Sequence, residues 1–248
     1  MSVKERFKVF GYFIIINSLI SILISCRYFS YMPEFPKDTI GILFIILSTF
    51  SHMVLLTTIC SVIIIPLLFL PKTIRNIFIA LFATLAITIL FIDTIVFSQY
   101  RFHMNAVILK LISSGQIVSF PLKTWLMLLC AISIIFLLQF GLVTFLEKQL
   151  YQINQKRLGR KFTYLVILSL LASNLIHIWG AAYAYQPVTQ VKRYLPVFYP
   201  VTSNGLMTKL NWIDQDALEK QKLLTMNNQG DLNDPLKPFI TKDVKNPT

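Results

Sequence analysis

The sequence predicts an all-α integral membrane protein: a bundle of five transmembrane helices, with a cytoplasmic N-terminus and a short periplasmic linker that contains short helices. Two observations predict this fold class. Of the 248 residues, 55% are hydrophobic and only 14% are charged, whereas a soluble domain carries roughly 25% charged residues. In addition, five mostly apolar windows each reach the length of about 20 residues that is needed to cross a hydrocarbon core of about 30 Å.

The five apolar windows lie within residues 1–183, the predicted transmembrane domain. They cover approximately 10–29, 40–70, 74–98, 122–146 and 162–183. The second is long enough to tilt or to extend past the bilayer, and Pro66 and Pro71 are expected to mark its end. The first has a basic start, but its apolar stretch is longer than the core of a signal peptide, so we expect it to remain uncleaved.

The distribution of lysine and arginine predicts the orientation. With the N-terminus inside, the inner segments carry ten of these residues and the two outer loops carry five. An excess of positive charge in short loops is typical of the cytoplasmic side. Residues 184–248 therefore form the predicted periplasmic linker, with one short helix from Thr202 or Ser203 to about Trp212 and a second from about Asp214 to Thr225.

Several classes of function are disfavoured by the sequence. The net charge of +12 does not indicate nucleic acid, because the basic residues are divided between the two predicted faces, where anionic lipid headgroups are the expected partner. The sequence contains no G-x-S-x-G motif, P-loop, dinucleotide-binding glycine pattern or metalloprotease motif, so neither enzymatic activity nor a cofactor is expected. The three cysteines have no metal-ligand spacing; we expect buried thiols and no metal site.

Asp93 lies near the outer end of the third apolar window, where an unpaired carboxylate is costly. It requires a partner, and Arg27, Arg101, His103 and the neighbouring loop, which includes Asn105, offer candidates. These five residues are predicted to form a polar clasp that fixes the outer loop to the bundle. The alternative is a proton or ion relay, which normally has several intramembrane acids along a path.

The segment after the fifth window combines cations and aromatic residues. Lys192 and Arg193 can meet phosphates, aromatic side chains such as Tyr199 suit the headgroup boundary, and a helix that begins near Ser203 presents free N–H groups. This segment is expected at the outer membrane surface. It is either a lipid-phosphate site or a plain interfacial anchor.

Three strings in the sequence carry a family resemblance. They are CRYF at Cys26–Phe29, IDTIVFSQYRFHMN at Ile92–Asn105 and ASNLIHIWGAAYAYQPVTQVKRYLPVFYPVT at Ala172–Thr202. On these strings, essentially the whole chain resembles the YejM/PbgA family of inner-membrane proteins of Gram-negative bacteria.

The resemblance implies a five-helix membrane domain, a periplasmic linker and then a large sulfatase-like domain. It also implies binding of lipid A or lipopolysaccharide at the periplasmic face, and regulation of lipid A synthesis through the LapB adaptor of the FtsH protease. A role with cardiolipin is implied as well. Together with the cations, the implied lipid-binding residues are Lys192, Arg193, Tyr199, Pro200, Thr202, Ser203, Asn204 and Lys209.

Two departures from the family pattern matter. Asn204 and Gly205 stand where basic residues are expected, so Lys192, Arg193 or Lys209 would have to supply the charge. The sequence also stops about where the sulfatase-like domain should begin, which suggests a truncated paralogue, a product of a split gene or a fragment. Two alternatives to a lipid A-binding regulatory module therefore stay open: a small multi-pass lipid transporter, of the cardiolipin type, and a truncated, non-functional paralogue.

Overall fold

The computed structural model describes residues 1–106, 121–156 and 158–209, together with the single positions Lys110, Glu219 and Leu223. Every regular element within these residues is helical. Five of the helices are long and apolar enough to cross a membrane, so the predicted all-α fold with five spans is confirmed.

The helices extend beyond the apolar windows that predicted them. In chain order the spans are α1 (Val3–Phe29), α2 (Thr39–Ser61) with a 3₁₀ continuation (Val62–Phe69), α3 (Lys72–Tyr100), α4 (Leu122–Gln155) and α5 (Leu158–Ala182). Capping explains the early start of α1, since the Ser2 side chain accepts a hydrogen bond from the Glu5 N–H and the Glu5 carboxylate accepts one from the Ser2 N–H. Pro66 does not end the second span but lies inside its 3₁₀ continuation.

Helix α1 is the centre of the bundle. It packs against α2, α3 and α4, while α2 also packs against α5 and α3 against α4. Small polar residues allow this close packing, as is usual between membrane helices. Ser18 and Ser25 on α1 are fully buried, and the hydroxyl oxygens of Ser51 on α2 and Ser173 on α5 are 3.4 Å apart.

The linker folds back onto the end of the bundle at which α1 and α3 end, called the outer end after its predicted orientation. It contains α6 (Gln186–Thr189), a 3₁₀ helix (Gln190–Arg193) and α7 (Asn204–Lys209). Val188, Val191 and Leu195 are buried against Phe44 and Ile45 of α2. The described part of the linker therefore shares an apolar core with the transmembrane helices.

Two glycines permit the close approach of α6 to the bundle. A Cβ atom on Gly180 would come within 2.8 Å of Val188, and one on Gly41 would come within 2.9 Å of Pro187. Next to Gly41, the Asp38 carboxylate caps α2 at 2.6 Å from the Gly41 N–H. This N–H lowers the pKa of Asp38, with a further contribution from a hydrogen bond with Tyr185 at the start of the linker.

Two expectations have different outcomes here. The cysteines are free but exposed, so the prediction of buried thiols is wrong. Each lies on an outward-facing side of its helix, and in a membrane protein that side can meet lipid instead of another helix. The second linker helix, predicted from about Asp214, falls almost entirely outside the described residues, and the domain boundary at residues 183 and 184 stays a prediction.

Replacing Gly180 by alanine should loosen the linker. The added methyl group would collide with Val188, and overpacking of this kind typically costs about 1–3 kcal/mol. We expect a lower free energy of unfolding in detergent and faster tryptic cleavage after Lys192 and Arg193. Gly141→Ala is the matched control, because a Cβ there meets nothing within 4 Å. Equal cleavage rates in the two variants would contradict the proposed role of Gly180.

Candidate functional site

Asp93 is held by three donors at the outer end of α3. Its carboxylate accepts hydrogen bonds from the Tyr28 hydroxyl at 2.6 Å, from Nδ1 of His103 at 2.7 Å and from the backbone N–H of Met104. Tyr28 is fully buried, and His103 stacks on Phe97 with ring centroids 4.8 Å apart. The loop after α3 is thereby tied to both α1 and α3.

The two arginines of the predicted clasp have aromatic partners. The guanidinium of Arg27 lies 5.0 Å from the centroid of the Phe91 ring, and that of Arg101 lies 4.6 Å from the centroid of the Tyr31 ring. Such cation–π contacts are favourable where water is scarce. The structure thus brings Asp93 and His103 together and sets Arg27 and Arg101 against aromatic rings around them, with Asn105 exposed in the same loop.

Residues 194–201 of the linker run without regular structure along α2 and α5. The Pro196 carbonyl accepts a hydrogen bond from Nε2 of His52 at 2.8 Å, and the Val201 carbonyl accepts one from Nδ1 of His177 at 2.9 Å. The Val201 N–H donates to the Asn174 side-chain oxygen at 3.4 Å. Two histidines and one asparagine therefore satisfy backbone groups that no helix satisfies.

This linker path is deeper than the sequence suggested. His52 lies 13 residues after the start of α2 at Thr39, which corresponds to about 20 Å along a helix axis. Pro196 is buried beside it, whereas Tyr199 is 89% exposed. The segment thus lies along the sides of α2 and α5 as well as at their ends, with backbone groups toward the bundle and the Tyr199 side chain outward. A cavity of about 440 Å³ lies between it, α2 and α5.

The predicted lipid-binding residues lie along this linker. Lys192 and Arg193 are exposed in the 3₁₀ helix. The segment around Tyr199 and Pro200 follows along the linker, and Val191, Leu195 and Phe198 on either side of these residues pack into one apolar cluster. The predicted set continues with Thr202, which is exposed, Ser203, which is half-buried, and α7, which begins at Asn204 and ends at the exposed Lys209.

Aromatic rings connect this lipid-binding candidate to the Asp93 cluster. Tyr194 of the linker meets Phe97 with ring centroids 5.7 Å apart, and Phe97 contacts Tyr28 and stacks on His103. Burial raises the pKa of the Tyr194 hydroxyl. The clasp residues therefore lie directly beneath the linker.

An ion-pair cluster at the other end of the bundle was missed at the sequence level. Glu147 of α4 accepts hydrogen bonds from Arg75 and, at 3.2 Å, from the Asn76 side chain, and Lys72 is 3.4 Å away. Arg75 and Glu147 are both almost fully buried. The sequence contained a signal for this pair: Arg75 is near the start of span three and Glu147 is toward the end of span four. In consecutive antiparallel spans these two positions lie at the same end of the bundle.

Metal ligands are not grouped in the part of the chain that the structure describes. No three His, Cys, Asp or Glu side chains among those residues are close enough to hold an ion. The absence of a metal and of a cofactor stays a prediction.

Comparison with known proteins identifies the family. The family described as "Domain of unknown function (DUF3413)" matches residues 1–241. The chain belongs to the DUF3413 family.

Curated relatives agree with this assignment. The inner membrane protein YejM of Salmonella typhimurium and that of Salmonella typhi are each 25% identical to the chain over 214 residues, which is 85% of this chain and 36% of the relative. An uncharacterized protein of Haemophilus influenzae is 23% identical over 206 residues, 82% of this chain and 35% of the relative. The chain thus spans little more than a third of the length of these relatives. The resemblance to the YejM family is confirmed: its Salmonella members are inner membrane proteins, and the chain has five helices long and apolar enough to cross a membrane.

Removing the Tyr28 hydroxyl should weaken the outer end of the bundle. A hydrogen bond to a charged group is worth about 1.5–3 kcal/mol, so Tyr28→Phe should lower the free energy of unfolding in detergent by about that amount. Hydrogen exchange at the Met104 amide should also accelerate, since its acceptor Asp93 loses a tether.

Tyr31→Phe is the matched control for that experiment, because it keeps the ring that Arg101 covers. If Tyr28→Phe and Tyr31→Phe were equally stable, the hydroxyl–carboxylate bond would contribute nothing to the outer end.

Proposed function

We propose that the chain is a membrane-embedded regulatory module that binds lipid A-type lipids, including lipopolysaccharide, at the periplasmic face and takes part in outer-membrane lipid homeostasis. The observation that carries this proposal is the exposed pair Lys192 and Arg193 on a linker seated against the bundle, beside the segment around Tyr199. The resemblance to the YejM family supports it.

Charge and exposure explain how such a headgroup would be held. Each cation near a membrane surface contributes about 1 kcal/mol toward an anionic headgroup, and Lys192 and Arg193 are adjacent and exposed. The hydroxyls of Thr202 and Ser203 can donate to phosphate oxygens, and the exposed ring of Tyr199 suits the boundary between headgroup and acyl chains. Lys209 is a third available cation.

The partners of this module are part of the same proposal. The resemblance to the YejM family supports the LapB adaptor of the FtsH protease as the protein partner and cardiolipin as a second lipid. In this proposal the chain acts by binding, without catalysing a reaction.

The orientation of the bundle is tested by reporter fusions. The charge distribution predicts that Gln155 is cytoplasmic and that Lys220 is periplasmic. A fluorescent protein should therefore be bright at Gln155, and alkaline phosphatase should be active at Lys220. The exchanged fusions provide the control. Fluorescence at Lys220 would reverse the orientation and move the linker to the cytoplasm.

The lipid site is tested by lipid A binding to the purified chain. Lys192→Ala/Arg193→Ala should weaken binding by roughly tenfold or more, because two surface cations together contribute about 2 kcal/mol. Asn204→Arg/Gly205→Arg should strengthen it, since charge is added where the family pattern has basic residues.

Lys37→Ala/Lys123→Ala is the matched control, since it removes two exposed charges from the same predicted face but outside the linker. Equal affinity of the Lys192/Arg193 variant and this control would reduce the segment to an interfacial anchor.

A further inference from the structure

A second, larger cleft opens at the opposite end of the bundle from the linker. It lies between α1, α2 and α5 and has a volume of about 960 Å³. Its walls are mainly apolar, with Ile15, Val54 and Ile167 among them, and its two charged lining residues are Lys8 and Arg160. None of its described lining residues is acidic.

The position of the two cations suits a lipid headgroup. Lys8 lies near the start of α1 and Arg160 near the start of α5, so both are at the end of the bundle that the charge distribution assigns to the cytoplasm. Lys156 and Lys161 add exposed positive charge to the same connection between α4 and α5. An anion at the mouth of the cleft would therefore meet an excess of positive charge.

Two glycines, Gly11 and Gly159, leave space inside the cleft because they have no side chains. A Cβ added to Gly11 would meet no atom within 4 Å, so this part of α1 borders open space. Gly159 lies on the facing side, where a Cβ would come no closer than 3.8 Å to the Tyr12 ring. An empty apolar cleft forfeits dispersion contacts, and its exposed rim residues Leu55 and Ile167 open it to the acyl chains of the bilayer.

We propose that this cleft binds one anionic glycerophospholipid of the inner leaflet. An acyl chain occupies the space between α1, α2 and α5, and the headgroup phosphate is held by Lys8 and Arg160. This site shares no residue with the lipid A site proposed for the linker, so either can fail without the other.

The site is tested by counting lipids that stay bound to the purified full chain. The protein is reconstituted in nanodiscs of phosphatidylcholine with a minor fraction of phosphatidylglycerol, and native mass spectrometry gives the ratio of the two lipids retained. Lys8→Gln/Arg160→Gln should lower the preference for phosphatidylglycerol by roughly tenfold or more. Gly11→Leu should abolish it by filling the cleft with both cations still present, and Val166→Phe is a second variant that fills the cleft.

Each variant has a control of the same chemistry. Gly141→Leu places the same side chain on α4, where a Cβ also meets nothing within 4 Å. Lys4→Gln/Lys148→Gln removes two exposed charges at the same end, outside the cleft lining and outside the connection between α4 and α5. Both controls should keep the preference of the unmodified chain, and all variants should bind lipid A at the linker normally.

Three results would overturn the proposal. The first is an unchanged preference in either the charge variant or the cleft-filling variants. The second is an equal loss in the Gly141→Leu control, which would mean that the cleft is not the site. The third is the absence of any preference in the unmodified chain, and a dimer mass in the same spectra would then identify a second copy as the occupant.

Discussion

The hydrocarbon around the bundle offers no hydrogen bonds, so each polar group placed within it must find its partner in the protein. Helices form these hydrogen bonds within their own backbones. The linker segment at residues 194–201 has no regular structure, and its Pro196 and Val201 backbone groups bond instead to side chains of the bundle, those of His52, His177 and Asn174. The Asp93 carboxylate likewise finds its partners within the protein, where three donors surround it. His52, His177, Asn174 and Asp93 therefore mark places where non-helical backbone meets the bundle.

Polar contacts fix the ends of the helices, while small residues close the middle. At the outer end Tyr28 joins α1 to Asp93 of α3. At the other end Arg6 of α1 donates to the Leu68 carbonyl at 2.9 Å, and Glu147 joins α4 to α3. These directional bonds fix how each helix is aligned along its neighbour. Apolar side chains that face lipid cannot fix this alignment, because lipid is as apolar as they are.

The sequence predicted the helices well because apolar length is a local property. It also predicted that Asp93 and His103 would meet, since they are ten residues apart on one helix end and its loop. It did not predict Tyr28 as a partner of Asp93, which lies 65 residues away. Nor did it predict the Arg75–Glu147 pair, whose members lie 72 residues apart. The path of the linker was missed for a different reason: the linker is held through its own backbone groups at Pro196 and Val201, and no side-chain pattern distinguishes one backbone group from another.

The bundle divides into two halves that share α1: a locked half, which contains α3 and α4, and an open half, which contains α2 and α5. In the locked half, α3 and α4 are joined by a buried ion pair, and separating such charges is costly. In the open half, α2 and α5 meet through serines and border both cavities. Leu55 lines both of these cavities and lies one helical turn after His52, which holds the linker. The two cavities thus share one wall of α2, and both lie in the half of the bundle that no ion pair among the described residues closes.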